Sequence, residues 1–470
     1  MTSTAPRGNL LALTVTRVIV AASGLIVNVA LARMLSRDDM GLYQWVLSLA
    51  ALGNFGATLG LGAWVTREVA RDASQQASLV PRALVTAGLS SVVTAVAMVA
   101  YVAMRNPQPE VLVAGVFGAV AVMINGAAQI TTGGLHGLRR MGLELVPMMA
   151  GRTVLVATQL IGLALGVGLG TLFAGRAVGA LVLLLGLWWT QWRQVGPYVV
   201  RVTLAHIREV GRQGLMFGAT VLFGAIYAQA DTLMVEAFVG LDEVARYRVP
   251  AVVLLQLAFV ATILARGLYP RFSQLTGHVD KAGELLGFQT RMLLLVSIPV
   301  AAGGVVVAGP LIVALMGSAY DDVAPVFVLL LLAVPVRFLN AGFGLSLTAL
   351  GQQHRRWRID GWGAVLNVGL NLAAIPFLGA EGAALTTLLT DVVVCAAIWR
   401  EIGRVAQTPG GFFAGTGRIV IGGLGMAGLV WAAAPLGLVA QLALGVVSFP
   451  SLTWLLRCWT LQDIRRLRRV

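Results

Sequence analysis

Residues 111–135 read VLVAGVFGAVAVMINGAAQITTGGL, a run without one charged side chain. A helix rising about 1.5 Å per residue needs about 20 such residues to cross the roughly 30 Å hydrocarbon core of a bilayer. The run is one of many. The chain of 470 residues is 58% hydrophobic and 11% charged, against roughly 45–50% and 25% in soluble domains. Lipid is therefore its main solvent.

Working outward, fourteen spans are predicted, near residues 10–33, 41–65, 83–104, 111–135, 145–168, 171–192, 214–239, 249–270, 290–315, 324–350, 359–378, 382–399, 415–434 and 436–456. Two adjoining pairs are separated only by Gly168 to Gly170 and by Pro435, so twelve or thirteen spans are the alternatives. No polar segment between them is long enough for a soluble domain. The expectation is an all-α polytopic membrane protein. The apolar run after Met1 to Gly8 is too long for a signal peptide and lacks a small-residue cleavage site, so it reads as a retained helix.

Charge supplies the orientation. With the N-terminus inside, cytoplasmic segments carry 24 of the 34 Lys and Arg residues, outer loops carry Arg33, Arg37, Arg105, Arg246 and Arg248, and the remaining five lie within spans. That asymmetry places both termini in the cytoplasm by the positive-inside rule. The net charge of +14 is thus mostly anchoring and needs no nucleic-acid partner, and the tail from Arg465 to Arg469 fixes topology against acidic headgroups. Cys395 and Cys458 offer neither a disulfide framework nor a metal spacing.

Three segments emerge: a six-helix lobe over 1–200, a second over 201–405, and an extra helix pair with a basic tail over 406–470. The lobes echo each other. Asp38-Asp39-Met40-Gly41-Leu42-Tyr43 matches Asp242-Glu243-Val244-Ala245-Arg246-Tyr247 at an offset of 204 residues. An even number of spans per lobe makes this a parallel repeat, an arrangement that sets a substrate site between two rocking bundles. Small-xxx-small pairs such as Gly175/Gly179 permit close helix approach.

Charges inside lipid-length segments are costly and normally face a bundle interior or wet cavity. Thr14, Arg17, Ala21, Gly24 and Asn28 share one helical face. So do Thr220, Gly224, Tyr227 and Asp231, and likewise Arg356, Asp360, Gly363, Asn367 and Asn371. Arg337 lies midway in the tenth span and Asp391 in the twelfth; Arg152, Arg176 and Arg266 lie nearer the membrane faces, where snorkelling competes. Internal ion pairs such as Arg337–Asp391 or Arg17–Asp231 are the structural alternative. Against them, five embedded arginines face three embedded acids, Asp231, Glu236 and Asp391. The excess predicts a cationic cavity, and a planar guanidinium suits phosphate oxygens.

Gly41-Leu42-Tyr43 and Gly60-Leu61-Gly62 running into Arg67-Glu68, the stretch Tyr227 to Pro270 with Leu268-Tyr269-Pro270, and Asn367, Asn371, Gly379 and Glu381 to Ala384 resemble the polysaccharide flippases of the multidrug/oligosaccharidyl-lipid/polysaccharide exporter superfamily. The resemblance implies two six-helix lobes and a cationic central cavity. Its cargo would be a polyprenyl-diphosphate-linked oligosaccharide, moved from the inner to the outer leaflet of a bacterial cytoplasmic membrane by alternating access. Glycosyltransferases and a glycan polymerase are the implied partners beside membrane lipids. The last two helices resemble the extra pair of fourteen-helix members, which in lipid II flippases forms a groove for the lipid tail; no motif here marks such a groove.

The substrate-binding candidates are accordingly Arg17, Asn28, Arg152, Asp231, Arg266, Arg337, Asn367, Asn371 and Asp391. Membrane potential would favour outward movement of a diphosphate, by about 2.3 kcal/mol per charge per 100 mV. A coupling proton or sodium ion at Asp231 or Asp391 is the other expectation; no cofactor or metal is expected. A lipid II flippase and a multidrug or cation antiporter are the rivals within the superfamily, the latter wanting acids that the first span lacks. A membrane enzyme would present acid, base or nucleophile groups. Here outer loops run about ten residues or fewer, and His136, His206, His278 and His354 fall on cytoplasmic loops without metal-ligand spacing.

Overall fold

In the computed structural model, which describes residues 20, 22–199, 202–407 and 412–458, every regular element is helical. The first is α1 (Ala22–Met34). Then come α2 (Arg37–Thr58), α3 (Leu61–Arg71), α4 (Gln76–Arg105), α5 (Pro109–Gly137), α6 (Leu145–Ala164), α7 (Leu169–Gln194) and α8 (Leu204–Phe238). The remainder are α9 (Leu241–Gln274), α10 (Val279–Val306), α11 (Ala308–Met316), α12 (Ala324–Ala349), α13 (Gln353–Ile402), α14 (Phe412–Ala432) and α15 (Leu438–Leu455).

Where described, each predicted span lies mostly on helix, with breaks at Leu59 and Gly60, from Leu165 to Gly168 and near Pro435. Nine described helices are long and apolar enough to cross a bilayer, and α2 with α3, bent by 42°, makes a tenth. The bend sits at Leu59 and Gly60, both at positive φ. The eleventh and twelfth predicted spans lie on either side of a break at Gly379 within α13, and Arg246 and Arg248 lie in the first turns of α9, which begins at Leu241.

The chain divides into two compact units, Met1–Glu236 and Ala237–Val470. The boundary falls two residues before the end of α8. The second includes the C-terminal pair: Met426 of α14 and Phe449 of α15 share an apolar cluster with Leu294 of α10.

Within the first unit, α6 and α7 fold back on each other around Gly166. A Cβ on Gly151 would lie 2.7 Å from the Gly179 carbonyl oxygen, so the two backbones touch where any side chain would hold them apart. Lipid tails are as apolar as leucine, so such close van der Waals packing and interhelical hydrogen bonds, rather than hydrophobic expulsion, hold helices together here.

The second unit repeats the arrangement in α13. Gly379 adopts φ 54°, ψ −131°, a conformation closed to side-chain-bearing residues, and breaks the 50-residue helix three residues after Pro376. Its halves then run antiparallel, as their contacts show in register. Gly382 packs on the Ala374 carbonyl, Thr386 donates to Asn371, Asn367 donates to Thr390 at 3.4 Å, Gly363 abuts Val394, and Arg355 pairs with Glu401.

Candidate functional site

A polar seam runs through the first unit along facing stripes of α5, α6 and α7. From α5 it takes Asn125, Gln129, Thr132 and His136, which follow helical spacing on one face. Three adjoining cavities open along it, of about 380, 230 and 140 Å³, and Asn125 lines all three. Gln129 is tied to Asn54 of α2 at 3.1 Å.

Arg152 and Arg176 both line the smallest cavity, facing each other from α6 and α7. Arg152 Nε donates to Ser23 Oγ at 2.7 Å and its terminal nitrogen to the Val20 carbonyl at 3.1 Å. Arg176 donates to the Tyr43 hydroxyl at 3.0 Å, which also accepts from the buried Gln159 at 2.8 Å. Every one of these acceptors is neutral. No acid lines this cavity among the described residues. Two half-buried guanidinium groups, spared a carboxylate, set up a field that favours an anion with planar or tetrahedral oxygens.

The second unit treats its embedded charge differently. Arg337 Nε meets Asp391 Oδ2 at 2.6 Å, with the acid side chain 6% exposed. Asn340 donates to the Asp391 carbonyl at 3.0 Å. Asn367 and Asn371 are spent across the α13 hairpin, bonded to each other at 3.1 Å and to Thr390 and Thr386. Tyr247, 204 residues after Tyr43, lies 3.3 Å from the Thr387 hydroxyl. Tyr43 thus meets a cation in the first unit and Tyr247 a hydroxyl in the second.

The remaining candidates are scattered. Asn28 is buried with its Oδ1 unbonded. Asp231, also buried, accepts from the Thr232 amide at 2.7 Å. Arg266 is exposed on α9. Arg17 lies outside the described residues. Glu236, read as an embedded acid, pairs with Arg105 at 3.1 Å.

Two groups escaped the sequence reading. Tyr43 appeared there only as part of a repeat, although its hydroxyl seats Arg176. His136 is on the last turn of α5, not on a loop, and bonds Glu144 at 2.9 Å. No cluster of three metal-ligating side chains occurs among the described residues.

The second unit also holds an apolar cavity of about 430 Å³, walled by α9, α10 and α12 on one side and by Met426, Val430, Leu442, Val446 and Phe449 of α14 and α15 on the other. Gln441 is its one polar side chain, and its amide is turned to the Val430 carbonyl at 3.1 Å.

A family model described as "Polysaccharide biosynthesis protein" matches residues 7–276. The probable flippase AglR of Haloferax volcanii is 26% identical over 307 residues, 63% of this chain and 61% of the relative, so the chain spans about three-fifths of that relative's length. Among solved structures, the lipid II flippase MurJ in an inward closed conformation superposes with a TM-score of 0.77 at 11% identity, over 94% of this chain and 97% of that one. An inward-facing multidrug resistance transporter of the MATE family and MOP superfamily gives 0.62 at 14% identity, over 81% and 93%. At these identities the likeness is one of fold, a polytopic all-α architecture shared by flippases and transporters rather than enzymes.

Proposed function

Because the chain belongs to the polysaccharide biosynthesis protein family, we propose that it is a flippase for a polyprenyl-diphosphate-linked oligosaccharide, moving it from the inner to the outer leaflet of a bacterial cytoplasmic membrane by alternating access. The observation that carries this reading is the Arg152–Arg176 pair, two cations on one cavity with only neutral partners. A cation exporter would require the opposite sign there. The diphosphate is the group such a pair recognises, and the apolar cavity beside α14 and α15 suits a stretch of the polyprenyl chain. Both termini are assigned to the cytoplasm by the arginine asymmetry.

The route of charge through the molecule narrows the energetics. With Asp391 held by Arg337, an inside-negative potential acting on the diphosphate is the simplest drive, worth about 2.3 kcal/mol per charge per 100 mV. Replacing Arg152 and Arg176 together by glutamine, then following headgroup accessibility in proteoliposomes and surface glycan in a deletion strain, tests the assignment. Loss of flipping with normal insertion is the expected result; export at the wild-type rate overturns it. Running lipid II in parallel separates accessory-glycan export from cell-wall precursor export.

A further inference from the structure

We propose that His136 and Glu144 form a proton-binding site whose state sets how tightly the cationic end of the same seam holds an anion. The pair is well built for this. His136 Nε2 lies 2.9 Å from Glu144 Oε2, the acid side chain is 10% exposed, and both line the cavity of about 380 Å³. The rest of that wall is neutral: Gly62, Ala63 and Thr66 from α3, amide and hydroxyl groups from α5, Met148 from α6 and Leu183 from α7.

Other charged groups occur on the neighbouring elements. Arg140, on the same turn, donates to the Gln194 carbonyl at 2.7 Å. Arg139 and Arg67 have partners of their own, and Glu68 pairs with Arg71 at 3.2 Å. Arg193, at the end of α7, stacks over Trp189 and Trp192. The imidazole is the titratable group that faces the Glu144 carboxylate.

Geometry connects the pair to the arginines. Glu144, Met148 and Arg152 follow at four-residue steps, which aligns them along one helical stripe. Eight residues at about 1.5 Å each put Glu144 about 12 Å from the level of Arg152. Met148 and Leu183 wall both cavities.

With the imidazole neutral, the pair carries one negative charge; with a proton added, it carries none. Imidazole is the side chain that changes charge in the physiological pH range. One unit charge at about 12 Å, at an effective dielectric constant of about 20, changes anion affinity about tenfold per unit of anion charge. By linkage, anion binding draws a proton onto the pair.

The inference rests on the anionic-cargo reading, and sulfate tests the two separately because its charge is constant between pH 6 and 8. Calorimetric titration of the full chain in detergent is expected to show at least tenfold tighter sulfate binding at pH 6 than at pH 8, with proton uptake visible as a buffer-dependent heat. His136→Gln keeps a hydrogen-bond donor for Glu144 but cannot accept the proton, so it should bind at both pH values as the wild type does at pH 8. Glu144→Gln should bind the sulfate dianion about a hundredfold tighter than wild type at pH 8. A pH step that survives in a folded His136→Gln protein overturns the proposal. Should that variant not fold, an unchanged affinity in Glu144→Gln overturns it instead. Sulfate binding without a pH step in the wild type removes the proton site and leaves the cationic cavity standing; no binding at either pH removes both.

Discussion

Truncating Arg337 to alanine would leave the Asp391 carboxylate, 6% exposed, without the guanidinium that now sits 2.6 Å away. Breaking a buried ion pair from one side costs about 3–5 kcal/mol, whereas replacing both members by apolar groups of similar volume is often neutral. At about 1.36 kcal/mol per decade, the single change should lower the folded-to-unfolded ratio by two to nearly four orders of magnitude. Reversible unfolding in mixed micelles of dodecyl sulfate and dodecyl maltoside, followed by tryptophan fluorescence, measures this. The double variant Arg337→Met with Asp391→Leu should return to within about 1 kcal/mol of wild type and still export glycan. Single variants costing less than about 1 kcal/mol, or a double variant costing the sum of its singles, would refute the pairing and return both side chains to the list of cargo or ion ligands. A stable double variant that no longer exports would show that Asp391 has a role beyond its partner.

Other perturbations follow from the same geometry. Gly379→Ala should destabilise the second unit by about 1–3 kcal/mol, because the hinge conformation excludes a Cβ; the micelle assay reads it, and a neutral result would remove the strain argument. Gly151→Ala, whose new carbon would lie 2.7 Å from the Gly179 carbonyl oxygen, should cost about 1–3 kcal/mol and loosen the α6–α7 hairpin, visible as faster amide exchange in both helices. Gly445→Phe, which fills the apolar cavity, should slow flipping of a long polyprenyl substrate several-fold while sparing a short-tailed analogue; equal slowing of both would detach the cavity from the lipid tail.

Much of the architecture was legible in the sequence because a spanning helix must satisfy its own backbone and coat itself with apolar side chains, which leaves a long unbroken hydropathy signal. The partners of the polar side chains were not. Asn367 and Asn371 share a helical face, so the stripe reads equally well as a cavity wall or as the inside of a hairpin. What distinguishes the two is the placing of Thr390 and Thr386 at matching distances on the far side of Gly379, a mirror spacing that periodicity within one helix does not reveal. Arg337 and Asp391 lie 54 residues apart, and only the packing of α12 on α13 joins them. Depth alone leaves Arg176 open to snorkelling; what fixes it is the buried Tyr43 hydroxyl, a partner that spacing along one helix does not reveal. His136 falls just past the predicted end of its span at residue 135, yet α5 continues to Gly137.

The hairpin in α13 also bears on how the protein is made. Two spans joined at one glycine leave the insertion machinery no polar loop to hold between them, so they enter the bilayer as a unit. Asp391 rides in on the second of these, at a cost of about 2.5–3.5 kcal/mol for a lone acid at mid-depth. Arg337 has by then been synthesised and waits on the preceding helix. The order of residues along the ribosomal product thus supplies each half of the ion pair when the other can use it, and a strain that swapped the two identities would present the same charges in reverse sequence to the translocon.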